Sequence, residues 1–179
     1  MDIDAVQRAR KVRMVIMDVD GVLTDGTVLY GGPAGEGVVF NVQDGTGIKY
    51  LHRAGVRTAL ISGRDTDAVR RRAETLGIEE VLQGAKVKLE AYEDLLRRSG
   101  LTDEEMAYAG DDLPDIPVMR RAGLAVAVPN ASRPGPAVGA RCASWPSSSS
   151  RRRAPGTASC SVIARSPEGR WPGSSSSWT

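Results

Sequence analysis

The chain of 179 residues carries 24 Lys and Arg against 22 Asp and Glu, with 41% hydrophobic and 26% charged residues. This is the composition of a globular protein with one domain's worth of core, and it excludes a disordered acidic or polybasic chain. No apolar run approaches the roughly 20 residues of a membrane span, and the opening MDIDAVQRARKVR is not that of a signal peptide, so a cytoplasmic location is expected.

The charge is unevenly divided. Residues 1–130 have a net charge of −4 and residues 131–179 one of +6, so the basic balance belongs to the tail and gives no sign of a nucleic-acid partner for the rest. Cys142 and Cys160 also lie in the tail, without a second Cys or a His at ligand spacing, which argues against zinc.

In chain order, a short helical lead-in (Ile3 to Lys11) precedes an apolar run from Val12 to Met17 that reads as a buried strand. It ends in Asp18-Val19-Asp20-Gly21, and strand alternation would put both carboxylates on one side. Two carboxylates that close repel unless a cation or a shared proton intervenes. Residues 27–41 have two β-rich runs around a glycine-rich centre, the pattern of a projecting hairpin. After Gly47 a helix is expected to reach Arg53, with Ile48 and Leu51 inward and His52 as an ordinary helix residue rather than a catalyst.

Val56 to Ile61 reads as the second strand, ending in Ser62-Gly63-Arg64-Asp65, and Thr66 to Leu76 as a helix stopped by Gly77. Its Arg70-Arg71-Arg72 run is a solvated face. A third strand (Ile78 to Leu82) leads to Lys88 and a helix reaching Arg98, with Leu89, Tyr92, Leu95 and Leu96 on one face. Thr102 to Glu105 is a capping box. The fourth strand (Met106 to Ala109) ends in Gly110-Asp111-Asp112-Leu113-Pro114-Asp115, and a helix (Ile116 to Ala122) and a fifth strand (Leu124 to Val128) follow. This alternation predicts an α/β fold, a three-layer Rossmann-like parallel sheet with helices on both faces. A β-hairpin flap follows strand one, and there is no cap domain.

Right-handed crossovers bring the strand ends to one edge: Asp18 and Asp20, Ser62, Lys88, and Asp111, Asp112 and Asp115. So dense an acidic group requires a cation, and hard oxygen donors without His or Cys select Mg²⁺. A Lys and a Ser hydroxyl beside it suit phosphate oxygens.

On these residues the chain resembles the haloacid dehalogenase superfamily of phosphohydrolases, whose four signatures occur in order. They are Asp18-Val19-Asp20-Gly21-Val22-Leu23-Thr24, Ile61-Ser62-Gly63-Arg64, Lys88 and Gly110-Asp111-Asp112-Leu113-Pro114-Asp115. Other stretches are similar to the capless branch typified by 3-deoxy-D-manno-octulosonate 8-phosphate (KDO 8-P) phosphatase. These are the hairpin at 27–41, Phe40-Asn41-Val42-Gln43-Asp44-Gly45, Leu76-Gly77-Ile78, Gln83-Gly84 and Gly123 to Val128.

The resemblance implies an Mg²⁺-dependent phosphatase of a phosphorylated 3-deoxy-2-keto sugar acid, KDO 8-P first and a nine-carbon relative as the alternative, in lipopolysaccharide biosynthesis. It implies Asp18 as nucleophile and Asp20 as acid and base. Ser62 and Lys88 would hold the phosphoryl group, with Gly63 and Arg64 on the substrate, Arg64 toward its carboxylate. The metal would be held by Asp18, the Asp20 carbonyl and Asp111, supported by Asp112 and Asp115. A homotetramer in which a neighbour covers the site is also implied. A receiver domain or an idle scaffold is the non-catalytic alternative, and Asp20 favours hydrolysis over the former.

Residues 1–130 are expected to form the phosphatase domain. From 144 to 179 the chain is about one-third serine with no structural period, which predicts an irregular or disordered tail over 131–179. The family pattern there has a Gly-Gly-x-Gly turn and a final amphipathic helix. The abrupt change between Asn130 and Ser147 motivates the hypothesis of a shifted coding frame, which the intact mass of the native protein tests. An RNA-binding role for Arg151-Arg152-Arg153 is the lesser alternative.

Overall fold

The computed structural model describes residues 3–31, 36–128 and 161–163. Its centre is β1 (Met14–Met17), whose four residues pair in parallel with β4 (Arg57–Ile61) on one side and β6 (Met106–Gly110) on the other. Beyond β4 lies β5 (Glu80–Leu82), and beyond β6 lies β7 (Leu124–Ala127), both parallel. The order is β5-β4-β1-β6-β7-β8, where β8 (Ser161–Ile163) adds antiparallel to β7 at the edge. The expected parallel sheet is present, with this one antiparallel strand added from the segment read as irregular. The remaining expectations for 131–179, the shifted frame and an RNA-binding role for Arg151–Arg153 among them, lie outside the described residues.

Alternation along the strands separates two cores. Met14 and Ile16, Ala59 and Ile61, and Met106 and Tyr108 pack with Tyr92 and Leu95 of α4 (Lys88–Ser99) and Val118 of α5 (Ile116–Met119). On the opposite face Met17 and Leu60 pack with Ile48 of α2 (Val42–Arg53) and Val69, Ala73 and Leu76 of α3 (Asp67–Leu76). Helices cover both faces, as expected of three layers. A lead-in helix, α1 (Ile3–Ala9), precedes the sheet. Among the described residues no helix is long and apolar enough to cross a membrane.

Several boundaries differ from the sequence reading. α2 begins at Val42, capped by the Asn41 side chain, which accepts from the Gln43 N–H at 2.8 Å. Gly45 and Gly47 are therefore helical rather than a lead-in loop. A Cβ on Gly45 would come within 2.9 Å of Leu76 Cδ2, so this glycine is a packing residue that lets α2 lie close to α3. α5 ends at Met119, short of Ala122.

The predicted hairpin is β2 (Leu29–Tyr30) with β3 (Glu36–Gly37), and an isolated bridge between Thr24 and Phe40 closes its base. The capping box at Thr102 forms, with Glu105 Oε2 accepting from the Thr102 N–H at 2.9 Å.

Candidate active site

Strand β1 ends at Met17, and Asp18 follows with its N–H donating to Ala109 O at 2.9 Å. Continued alternation aims Asp18 at the α4 face, and its side chain is buried. The chain then turns sharply, since Val19 O accepts from the N–H groups of Val22, Leu23 and Thr24. Thr24 Oγ1 completes the turn, donating to Val19 O at 3.3 Å and accepting from Gly21 N at 3.3 Å and Gly26 N at 3.2 Å. Asp20 lies inside this turn, so strand alternation does not set its direction. Its carboxylate meets Arg64 instead, at 3.1 Å from Nη1.

Lys88, the first residue of α4, is 7% exposed and reaches two carboxylates: Asp18 Oδ1 at 2.8 Å and Asp115 Oδ1 at 2.7 Å. Asp115 is fully buried and accepts three further hydrogen bonds. Tyr108 Oη donates to Oδ1 at 2.6 Å, and the N–H groups of Asp111 and Asp112 donate to Oδ2 at 3.1 and 3.2 Å. An ionised carboxylate has about four lone-pair sites, and here all are taken. Asp115 thus folds the loop that carries Asp111 and fixes Lys88. Gly110 permits this, because a Cβ there would sit 2.6 Å from Asp115 Cβ and Cγ.

Asp18, Asp111 and Asp115 each offer an oxygen within 4.8 Å of the others'. Three carboxylates facing one ammonium leave a negative surplus. Burial pushes the Asp18 carboxyl up to about 7; the Lys88 ammonium lowers it and the neighbouring Asp115 charge raises it. For Lys88, burial opposes the charged form, but Asp18 and Asp115 outweigh it and its pKa is raised. The donor set contains oxygen alone, which fits Mg²⁺. Since Asp115 is already saturated by donors, Asp18 and Asp111 are the side chains that suit the ion.

Ser62 is 1% exposed at the end of β4, and its Oγ accepts from the Arg64 N–H at 3.2 Å. Its own hydroxyl proton remains to be donated to an oxyanion. Gly63 lies between Ser62 and Arg64, with the carbonyl of Ala85 at 3.9 Å from where its Cβ would be. Asp112 is exposed and caps its own turn, accepting from the Leu113 N–H at 2.7 Å, so it does not join the carboxylate group. His52 is half-buried and hydrogen-bonded to Thr58 Oγ1 at 2.6 Å, away from the carboxylates, in keeping with its reading as an ordinary helix residue.

Sequence reasoning missed Tyr108 and Glu36, which pairs with Arg64, and gave Thr24 of the first signature no role of its own. Alternation in the fourth strand places Tyr108 two residues before Gly110 and on the Asp18 face, which was a usable signal. Glu36 had none, because only the folded hairpin brings it near Arg64.

The haloacid dehalogenase-like hydrolase family model matches residues 44–123. The KDO 8-P phosphatase of Escherichia coli K12 is 44% identical over 128 residues, 72% of this chain and 68% of the relative. A crystal structure of the Yersinia pestis KDO 8-P phosphatase superposes with a TM-score of 0.68 at 43% identity, over 70% of this chain and 68% of that one. The Moraxella catarrhalis KDO 8-P phosphatase, crystallised with magnesium, phosphate and KDO, gives a TM-score of 0.65 at 41% identity, over 67% of this chain and 69% of that one. The chain belongs to the haloacid dehalogenase-like hydrolases, within them to the KDO 8-P phosphatase family, and is a phosphoric monoester hydrolase. The receiver-domain alternative falls with this assignment.

Proposed function

We propose that the protein hydrolyses the phosphomonoester of a 3-deoxy-2-keto sugar acid, KDO 8-P first, with Mg²⁺ and through an aspartyl-phosphate. The observation that carries this is the buried contact of Lys88 with both Asp18 and Asp115, next to Asp111 at the end of the neighbouring strand. It offers a carboxylate nucleophile, a cation for phosphoryl oxygens and a metal-ligand set in one place.

Asp18 attacks phosphorus while Asp20 gives its proton to the departing sugar alkoxide. Asp20 then takes a proton from the water that attacks the aspartyl-phosphate, and inorganic phosphate leaves. Ser62 Oγ and Lys88 Nζ hold the phosphoryl oxygens, and Arg64 faces the sugar acid. Asp18, Asp111 and the Asp20 carbonyl would hold Mg²⁺, whose charge lets carboxylate and phosphate approach each other. The relatives named for this substrate support the choice, and a role in lipopolysaccharide biosynthesis goes with it. The hairpin carries exposed Leu29, Tyr30 and Val39, in keeping with a homotetramer in which a neighbour covers the site. A cytoplasmic location accords with the substrate class, and cell fractionation tests it.

The test is kcat/KM over a panel of eight- and nine-carbon keto-sugar acid phosphates, with and without EDTA. We expect KDO 8-P to lead, EDTA to stop turnover and Asp18→Asn to abolish it. A nine-carbon ester in first place moves the substrate assignment. Full turnover under EDTA or in Asp18→Asn removes the mechanism.

A further inference from the structure

Arg64 divides its guanidinium between two carboxylates from different parts of the chain. Nη1 meets Asp20 Oδ1 at 3.1 Å, and Nη2 meets Glu36 Oε2 at 2.5 Å. Asp20 lies in the turn after β1, whereas Glu36 lies on β3 of the hairpin. Among the described residues, the Glu36 contact is the ion pair that ties the hairpin to the rest of the domain. The hairpin's own ladder has two residue pairs, and Leu29 and Tyr30 face solvent. From the catalytic side Arg64 is fixed through its N–H on Ser62 Oγ. The three side chains are between 27% and 38% exposed, so the cluster forms an open mouth beside the buried carboxylates.

A guanidinium binds a carboxylate best through two parallel N–H bonds from one edge. Every edge of Arg64 includes Nη1 or Nη2, and each of these already serves a carboxylate. An incoming acid therefore meets an occupied nitrogen and a like charge. Of the two occupants, Asp20 is held beside the nucleophile by the turn, and Glu36 is the more exposed. Glu36 is the one that exchanges.

We propose that Glu36 is a specificity-determining residue, an internal carboxylate that occupies Arg64 until a carboxylate-bearing phosphate ester replaces it. The proposal deepens the phosphatase reading above and rests on it. When an acid-bearing ester arrives, one carboxylate replaces another, so the charge pairing at Arg64 is kept and the hairpin is released. An ester without an acid group has nothing to exchange, and Glu36 stays on Arg64 as a negative charge at the mouth that its phosphate must pass. Discrimination arises as much from this repulsion as from the attraction of Arg64.

The test uses a small ester pair that differs in the acid group, 3-phosphoglycerate and glycerol 3-phosphate, beside the keto-sugar panel. Both are measured with Mg²⁺ on the full chain and its Glu36→Gln variant. In the variant, kcat/KM is expected to rise for both esters. The acid-bearing one no longer displaces a carboxylate from Arg64, and for the acid-free one the repelling charge is gone. The larger gain, roughly three- to fivefold, falls on the acid-free ester, so the ratio of acid-bearing over acid-free ester drops. Both gains should come from lower KM values, with kcat kept, and should shrink as salt is raised. Calorimetric binding to Asp18→Asn protein, with and without Glu36→Gln, gives the same ratio where turnover is slow. An unchanged ratio, or an equal loss on both esters, overturns the proposal. Failure of the sugar assignment shows separately, as absent turnover of the keto-sugar panel while the small esters still report on Glu36.

Discussion

The hydroxyl of Tyr108 donates to Asp115 Oδ1 at 2.6 Å, and both side chains are fully buried. Burial, and then the nearby Asp115 charge, raise the Tyr108 pKa, so the phenol stays a proton donor at any working pH. Its ring belongs to the core with Met14, Ile16 and Tyr92, so a single residue joins core packing to the acidic loop. Tyr108→Phe keeps the ring and removes one of four donors from a buried carboxylate. We expect a loss of about 1–3 kcal/mol in stability and a roughly tenfold weaker Mg²⁺ affinity. Thermal melts and calorimetric titration measure the two. An unchanged Mg²⁺ affinity would reduce Tyr108 to packing alone.

The pH dependence of the metal-free protein follows from Asp18, whose carboxyl rises from 3.8 to about 7 on burial. Below pH 4 both folded and unfolded forms hold the proton, and this contribution to stability is complete. Between about pH 4 and 7 the unfolded chain has released it while the folded one has not, so stability falls as pH rises. The slope is at most about 1.4 kcal/mol per pH unit for one group. The melting temperature without Mg²⁺ is therefore expected to decline across this window, and more steeply than in Asp18→Asn. Mg²⁺ needs the ionised carboxylate, so the rise in melting temperature that it gives should be larger at pH 8 than at pH 6. Parallel melts of the two proteins across pH check both statements; identical slopes would remove Asp18 as the cause.

Much of this site was legible before the fold was known, because its residues stand at the ends of apolar runs whose alternation is strong. Asp18, Ser62 and Asp111 needed only the rule that parallel strands share an edge. The glycines of α2 were misleading. Gly45 and Gly47 read as a lead-in to the helix, yet both are helical, and at Gly45 the close approach to α3 offsets its low helix propensity. The division of labour among the carboxylates was also hidden. Sequence spacing grouped Asp112 with Asp115, but one is an exposed cap and the other takes four donors. Which lone pairs are filled depends on Tyr108 and Lys88, which come from separate elements. No local pattern carries that.

Among the described residues, Lys88 is the cation that Asp18 and Asp115 share. In Lys88→Met the apolar stem is replaced and the charge is lost, leaving two buried carboxylates facing each other. Breaking such a pair costs about 3–5 kcal/mol. The loss should grow as pH rises without metal, because the charged form of Asp18 has lost the ammonium that favours it. Mg²⁺ should restore part of the stability and little of the activity, since in the proposed mechanism Lys88 also holds the phosphoryl oxygens. Activity is expected to fall at least about a hundredfold, on the scale of removing one charged transition-state contact. Melts with and without Mg²⁺, together with kcat, separate the two roles. Equal activity in the variant would remove Lys88 from the phosphoryl site.

Gly110 positions the acidic loop through backbone packing. It ends β6, and a Cβ there would lie 2.6 Å from Asp115 Cβ and Cγ, closer than carbon atoms approach. Asp115 is held from four directions, so it cannot yield as the tip of a free side chain would. Gly110→Ala must therefore move the loop from Asp111 to Asp115, and Asp111 with it. We expect a destabilisation of about 1–3 kcal/mol, the usual cost of overpacking a tight site, and a loss of Mg²⁺ affinity beyond that of Tyr108→Phe. Gly77→Ala is the comparison: Gly77 has φ 75° at the end of α3 and nothing within 4 Å of its would-be Cβ. That variant should lose about 1 kcal/mol through its left-handed backbone and keep its Mg²⁺ affinity. Titrations of both variants decide it. Equal Mg²⁺ affinities would mean that the approach of Gly110 to Asp115 does not organise the metal site.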